Sequence, residues 1–343
     1  MIAKETRGPG APETGVQADF VGSHSVDVGR RSRIEGAVLG AAIGDALGRP
    51  TEFLSMAEIH ARYGADGIRE LELTPSAAGP MHALFTDDTQ MAVAALETLA
   101  AAPPGPVTVD EIMLPLARAF IAWSHRADLG LRAPGNACLA GCRALEAGAP
   151  WAEAGGATAG GCGSVMRVYP FGLAYADELS RAEHFAVEQS RLTHNDPIAL
   201  AASGAMAVGV ALALRGETVD RVVSEMIDTA ARYSAPTADM MRRAAEEARA
   251  GVGPEITLDR LRAWAAHEAI AAAVYLFVRH PDNLPAAVRE GANTPGDSDS
   301  IATLAGALVG VRVGIAGVPR RWIEQIEDGP RLSALARQLA DHV

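Results

Sequence analysis

The stretch Pro197–Leu214, PIALAASGAMAVGVALAL, decides the fold. It carries no charge and is just long enough to cross a bilayer, but Ala, Gly and Ser outnumber the large aliphatic residues. Small side chains let helices approach closely, so the segment reads as a helix buried inside a helical protein with no membrane span. Outward from it, helical signals recur almost everywhere after Arg33, and alternating β-branched runs of strand length are hard to find. The expected class is all-α, a compact multi-helix fold. Its helices are expected to include Ile34–Leu47, Asp88–Ala102, Val165–Ala176, Pro197–Arg215, Thr257–Val278 and Ser300–Gly314.

The breaks between helices are short Gly/Pro clusters such as Pro103–Pro106, Pro134–Asn136 and Gly155–Gly163. None resembles a flexible interdomain linker, so one domain is expected over residues 33–343. Residues 1–32 mix charges, Gly and Pro without a sustained apolar run and read as a disordered leader, neither signal peptide nor anchor. A chain of 343 residues with 49% hydrophobic side chains can bury a large core. Its 42 acidic and 30 basic side chains leave a net charge of -12, which repels phosphate backbones and disfavours nonspecific nucleic-acid binding. Three cysteines make no disulfide framework, and Cys138 with Cys142 lacks a second pair to complete a zinc site; a reducing cytoplasm is expected. No coiled-coil heptad appears, and a monomer is expected.

The strongest local signal is Thr86, Asp87, Asp88, Thr89, standing after a loop and before an apolar helix. Alone it reads equally well as an N-cap, because Asp and Thr there accept from unsatisfied amides and oppose the macrodipole. A second segment, Asp297, Ser298, Asp299, Ser300, repeats the pattern at another helix start, after the turn residues Asn293, Thr294, Pro295 and Gly296. If the two loops meet, their hard oxygen donors suit magnesium or manganese. Four carboxylates together would repel one another severely without cations. The Gly-rich turn Gly160, Gly161, Cys162, Gly163, Ser164 precedes a helix and could present backbone amides to a pyrophosphate.

These segments belong to an ordered series: GAVLGAAIGDALGRPTEF at Gly36–Phe53, FTDDTQMA at Phe85–Ala92, PGNACLAG at Pro134–Gly141, GCGSVMRVYPFG at Gly161–Gly172 and THNDPIALAAS at Thr193–Ser203. The long segment Ala263–Ala302 completes it. The series resembles the ADP-ribosylglycohydrolases over nearly all of the chain after Arg33. The resemblance implies a compact orthogonal helical fold and two divalent cations, Mg²⁺ or Mn²⁺, held by Thr86, Asp87, Asp88, Asp297, Asp299 and Ser300. It implies that Glu52 sits on a mobile loop over the metals, catalytic together with Asp87 and Asp88. It places Gly135, Asn136, Gly161, Gly163, Ser164, Met166 and His194 against the substrate, with Arg167 bracing the pocket. Three positions depart from the pattern. Pro295 stands where a second Gly is frequent, Ser300 in place of Thr, and Cys162 in place of Asn.

The implied reaction is hydrolysis of the bond between ADP-ribose and an acceptor on a modified protein or small conjugate, with arginine the first acceptor and serine next. A noncatalytic ADP-ribose-binding module and a two-metal phosphoesterase are the competing readings.

Overall fold

The computed structural model describes Met1, residues 21–75 and residues 81–342; of the expected leader, residues 2–20 lie outside the described residues. The described residues form sixteen α-helices. In order these are α1 (Val21–Gly48), α2 (Met56–Tyr63), α3 (Asp87–Ala100), α4 (Val109–Ser124), α5 (Asn136–Glu146), α6 (Tyr169–Ala174), α7 (Leu179–Arg191) and α8 (Pro197–Leu214). There follow α9 (Val219–Ala231), α10 (Ala235–Arg249), α11 (Pro254–Arg260), α12 (Ala266–Arg279), α13 (Leu284–Ala292), α14 (Ser298–Val313), α15 (Arg320–Gln325) and α16 (Gly329–His342). Among the described residues there is no β-strand, only four isolated bridges.

Two helices are apolar all round and form the centre. Every residue of α8 from Ala199 to Leu214 is buried, which places this membrane-length segment in the protein core. In α14 every residue from Ser298 to Val311 is buried. Against α14 lies α1, and the two meet through glycine. A Cβ at Gly44 would stand 2.5 Å from the Ala302 carbonyl carbon, and one at Gly48 2.5 Å from Asp299 Cα. Gly36 and Gly40 likewise face the backbones of Gly310 and Gly306. The four-residue spacing of these glycines puts them on one helix face, so backbone packs on backbone with no side chain between. The consequence is positional. This ladder runs to the first turn of α14, and so fixes the end of α1 against Asp299.

The structure corrects three helix boundaries. α1 begins at Val21 instead of Ile34, and its polar extension is anchored: Arg33 donates to the carbonyls of Ala213 and Leu214 (3.2 Å each) at the C-terminus of α8, where a cation opposes the dipole. The helix expected over Val165–Ala176 is reduced to the short α6, preceded by a separate single turn at Cys162–Ser164. The helix expected over Thr257–Val278 is interrupted between α11 and α12. There Ala263 takes a left-handed conformation (φ 61°), Ala266 N donates to Gly160 O (2.8 Å), and Arg262 O accepts from Asp297 N (2.9 Å). Helical periodicity runs through this segment, but its backbone groups are used to join the Gly-rich turn to the second acidic loop.

Candidate functional site

The first acidic loop is built around Asp45, fully buried near the end of α1. Its carboxylate accepts from Thr86 N (2.8 Å), Thr89 N (3.0 Å) and Thr89 Oγ1 (2.6 Å). Asp45 therefore braces the start of α3, and Thr86 is that helix's N-cap, accepting from Asp88 N (3.3 Å). A second brace is Arg132. Its Nη1 donates to Phe85 O (2.7 Å), its guanidinium pairs with Glu327 (2.6 Å), and its carbonyl accepts from Asp87 N (2.9 Å). The loop that follows Arg132 returns to Asp87, since Gly135 N donates to Asp87 Oδ2 (3.3 Å).

The second loop meets the first directly: Ser300 Oγ donates to Asp88 Oδ2 (3.0 Å). Thr51 and Ser298 tie the end of α1 to the start of α14, with Thr51 Oγ1 3.1 Å from Ser298 Oγ and Ser298 Oγ donating to Gly48 O (3.0 Å), while Thr51 Oγ1 also donates to Ala292 O at the end of α13 (2.6 Å). The next residue, Glu52, is half-buried, and its carboxylate lies with those of Asp297 and Asp299 so that one oxygen of each falls within 4.8 Å of the others. Glu52, Asp87, Asp88, Asp297, Asp299 and Ser300 line one cavity of about 490 Å³, together with Gly135, Asn136, Gly161, Gly163, Met166 and His194.

Two residues expected at this site are placed differently. Thr86 is fully buried in its capping role, its hydroxyl 3.4 Å from Asp88 Oδ1, and is absent from the cavity wall. Ser164, expected against substrate, is buried behind the Gly-rich turn, where Ser190 Oγ donates to its hydroxyl (2.8 Å) and its carbonyl accepts from Gln189 Nε2 (2.9 Å). Cys162, in contrast, faces the acids: its thiol donates to Asp297 Oδ2 (2.8 Å). Burial first, then Asp297, pushes that thiol well above its ordinary range, which in the cation-free cavity favours a protonated lining group over a nucleophile.

The cavity also contains residues that the sequence did not single out. Phe53 and Trp264 stack at 4.6 Å and 17° while remaining 50% and 62% exposed. Phe53 is left-handed (φ 58°) and held by its amide, which donates to Gly296 O (2.7 Å). Large aromatics this exposed, paired, and adjacent to buried acids mark a contact surface.

Among the described residues no ion pair reaches Asp45, Glu52, Asp87, Asp88, Asp297 or Asp299. Burial is the first cause that lifts Asp87, Asp88 and Asp299 well above the usual carboxylate range, with neighbouring acids adding to it. Burial and then Asp297 push Glu52 up to about 8. Two helix N-termini, those of α3 and α14, point partial positive charge at these groups, but the effect is limited to about 1 kcal/mol for each. Hard, acceptor-only oxygens crowded this way fit divalent cations, which would take the place of the missing counter-charge.

The pH dependence follows with a definite sign. Glu52 has a folded pKa of about 8 against an ordinary 4.5, so its stabilising contribution is complete below about pH 4.5 and is lost as pH rises through about 8. Asp128 and Glu247, held down to about 2 chiefly by arginine hydrogen bonds, act in the opposite direction only on the acid side of that window, and His194, brought from 6.5 down to about 3 by burial, opposes Glu52 only below about pH 6.5. In chelator, thermal melting should therefore occur several degrees lower at about pH 8.5 than at about pH 5.5. Added Mg²⁺ or Mn²⁺ should raise the melting temperature more at the higher pH. A cation-free protein most stable at the alkaline end would contradict the crowding described.

An all-helical protein with a carboxylate cavity assembled at two helix N-termini and walled by a Gly-rich turn is the class that fold and site define. The ADP-ribosylglycohydrolase family model matches residues 27–343, and the chain belongs to that family. The ADP-ribosyl-(dinitrogen reductase) glycohydrolase of Rhodospirillum rubrum is 29% identical over 306 residues, 86% of this chain and 90% of that protein. An ADP-ribosylarginine hydrolase of Pseudomonas putida is 27% identical over 316 residues, 90% of this chain and 78% of its own. A solved structure titled ADP-ribosylglycohydrolase-related protein complex superposes with a TM-score of 0.71 at 26% identity, covering 91% of this chain and 98% of that one.

Proposed function

We propose that this protein hydrolyses the glycosidic bond between ADP-ribose and an acceptor, with arginine as the preferred acceptor, and releases free ADP-ribose. The observation that carries the reading is the convergence of Glu52 and both acidic loops on the cavity that the Gly-rich turn and His194 also line. Asp87, Asp88, Asp297, Asp299 and Ser300 would hold two cations, Mg²⁺ or Mn²⁺, with Thr86 contributing through its hydroxyl or as the brace of Asp88. Bound there, the cations would hold ribose hydroxyls and polarise a water.

The chain's own groups then divide the proton work. Water attacks the anomeric carbon of the distal ribose as the bond to the acceptor breaks, through an oxocarbenium-like state. Asp87 or Asp88 accepts the proton of that water. Glu52, half-buried beside Asp297 and Asp299 on the cavity wall, is placed to deliver a proton to the departing acceptor.

Arginine is favoured by the rim. A planar cation leaving the Glu52 side meets the exposed Phe53–Trp264 stack on one side and carboxylates on the other. The Trp264→Ala variant is expected to lose roughly 5-fold in kcat/KM on an ADP-ribosyl-arginine peptide, the worth of one cation–π contact. Turnover of an ADP-ribosyl-serine peptide should be unchanged by that substitution. Equal losses on both peptides would remove the rim from acceptor choice. The reading as a whole is tested by product analysis of both peptides with Mg²⁺, Mn²⁺ or chelator. Cation-dependent ADP-ribose supports it, AMP indicates a phosphoesterase, and binding without either product indicates a noncatalytic module.

A further inference from the structure

Behind the cavity wall lies a guanidinium with no carboxylate partner among the described residues. Arg167 is fully buried and, among the described residues, donates only to neutral groups: Gln189 Oε1 (3.1 Å), Met91 Sδ (3.3 Å), Cys138 Sγ (3.5 Å), Gln189 O (3.5 Å) and Thr193 Oγ1 (2.7 Å). Phe120 covers its face, with Cζ 4.4 Å from the ring centroid. Thr193 Oγ1 in turn lies 2.7 Å from His194 Nδ1. We infer that Arg167 and Thr193 are positioning residues which hold His194 as a neutral imidazole with its proton on Nε2, a fixed donor to an acceptor-only oxygen of the ligand.

The assignment follows from counting hydrogens. Arginine cannot accept, so the 2.7 Å contact has Nη2 donating to the threonine hydroxyl. That hydroxyl owns one hydrogen, and among the described residues Nδ1 of His194 is the one acceptor it contacts. Oγ1–H therefore donates to Nδ1, which leaves Nδ1 without a proton and puts the ring's single proton on Nε2. The opposite tautomer gives Oγ1 two incoming donors and strands its own hydrogen in a fully buried position. Charging the ring fails for the same reason, and burial followed by the Arg167 charge brings the His194 pKa down to about 3.

Nε2 is aimed at the ligand side. It has no hydrogen-bond partner among the described residues, and a Cβ built on Gly163 or Gly161 would stand 3.2 or 3.6 Å from it. His194 and both glycines line the cavity. The same α7 terminus fixes the Gly-rich turn beside the ring, because Gln189 accepts from Arg167 and donates to Ser164 O, and Ser190 Oγ donates to Ser164 Oγ. Arg167 thus sets the histidine and the Gly-rich turn as one unit. A donor that does not titrate across the neutral range selects a phosphate or carboxylate oxygen and rejects a ligand group that must itself donate there.

The identity of that ligand as the diphosphate of ADP-ribose rests on the proposed function; the tautomer does not. The experiment separates the two. Two-bond ¹H–¹⁵N correlation of imidazoles in the ligand-free protein should show His194 neutral and protonated on Nε2 between about pH 6 and 8. In Thr193→Val the shape is kept but the hydroxyl is gone, and the spectrum should move toward a tautomer mixture. The Kd for ADP-ribose should rise roughly tenfold, as for loss of one well-oriented bond to an anion. Mn²⁺ affinity should be unchanged, and Thr193→Ser should restore both the spectrum and the Kd. A wild-type His194 protonated on Nδ1, or charged at neutral pH, overturns the relay without any variant. So does a Thr193→Val protein with an unaltered spectrum and unaltered Kd. Failure of the wild-type protein to bind ADP-ribose, with the Nε2–H tautomer observed, overturns the ligand reading alone.

Discussion

Replacing Asp88 or Asp299 with Asn should leave a folded protein whose cation-dependent release of ADP-ribose falls roughly 10³-fold, the loss expected when several kcal/mol of charge stabilisation disappear from the transition state. Asn keeps the shape of Asp and can still accept from Ser300 Oγ at position 88 or from Ser300 N at position 299. What it removes is the charge that would hold a cation in the proposed site. That charge is costly in the ligand-free protein, where burial raises both carboxyls well above the ordinary range. The chelated variants should therefore melt at or above the wild-type temperature near pH 8, while losing most of the stabilisation that Mg²⁺ or Mn²⁺ gives the wild type. The opposite signs of these two effects distinguish a cation site from a structural carboxylate. Full turnover in either variant would refute the two-loop site, and a variant unfolded in chelator would make the carboxylate a structural group.

Asp45 supplies the contrast. Its carboxylate receives three protein donors, so Asp45→Asn loses bonds that hold Thr86 and Thr89, and its main effect belongs to stability. Nothing in the local sequence assigns Asp45 this role, because a buried acid in a Gly-rich stretch gives no sign of which amides it meets.

Other parts were legible for physical reasons. Two acid-rich segments at helix starts announce themselves because each lies next to a long apolar helix, and small-residue composition announces close helix packing. The Pro197–Leu214 helix is central for the reason its composition implies: it is lined by Ala and Gly and can be surrounded. Trp264 was not legible. It sits in a run whose helical period continues from Thr257 to Val278, and only tertiary hydrogen bonds from Ala266 to Gly160 and from Asp297 to Arg262 pull it out of that helix. Ser164 is a case where local sequence does not show the side chain's direction: the resemblance places the residue against substrate, and the structure turns its hydroxyl away from the cavity. Its hydroxyl is consumed by Ser190, a partner on another helix that local sequence cannot supply. Cys162 and Pro295 were departures from the expected pattern, and both are accommodated. The thiol still donates to Asp297, and the loop after Pro295 anchors Phe53 through Gly296 O.

The largest structural effect is expected at Gly44. The α1–α14 contact has no side chain that can yield: a methyl group at Gly44 meets the carbonyl of Ala302 and stands 2.9 Å from Thr303 N, all of it backbone. Relief requires the two helices to separate, and overpacking against unyielding backbone should cost about 3 kcal/mol or more. Helix propensity acts the other way, since Ala is favoured over Gly by about 1 kcal/mol, so the steric term must exceed that before any loss is seen. Gly130 is the control. It has nothing within 4 Å of a built Cβ, and Gly130→Ala should leave the urea midpoint nearly unchanged. Separation at Gly44 also moves Gly48, whose Cβ position is 2.5 Å from Asp299 Cα, and with it the Thr51–Ser298 tie that sets Glu52 over the acids. A Gly44→Ala protein should lose Mn²⁺ affinity along with stability. If urea unfolding showed wild-type stability with weakened Mn²⁺ binding, the ladder would be a device of the site alone; if both were unchanged, the helices are not packed backbone to backbone. The expected joint loss makes the ladder the reason that two loops separated by more than two hundred residues of sequence share one cavity.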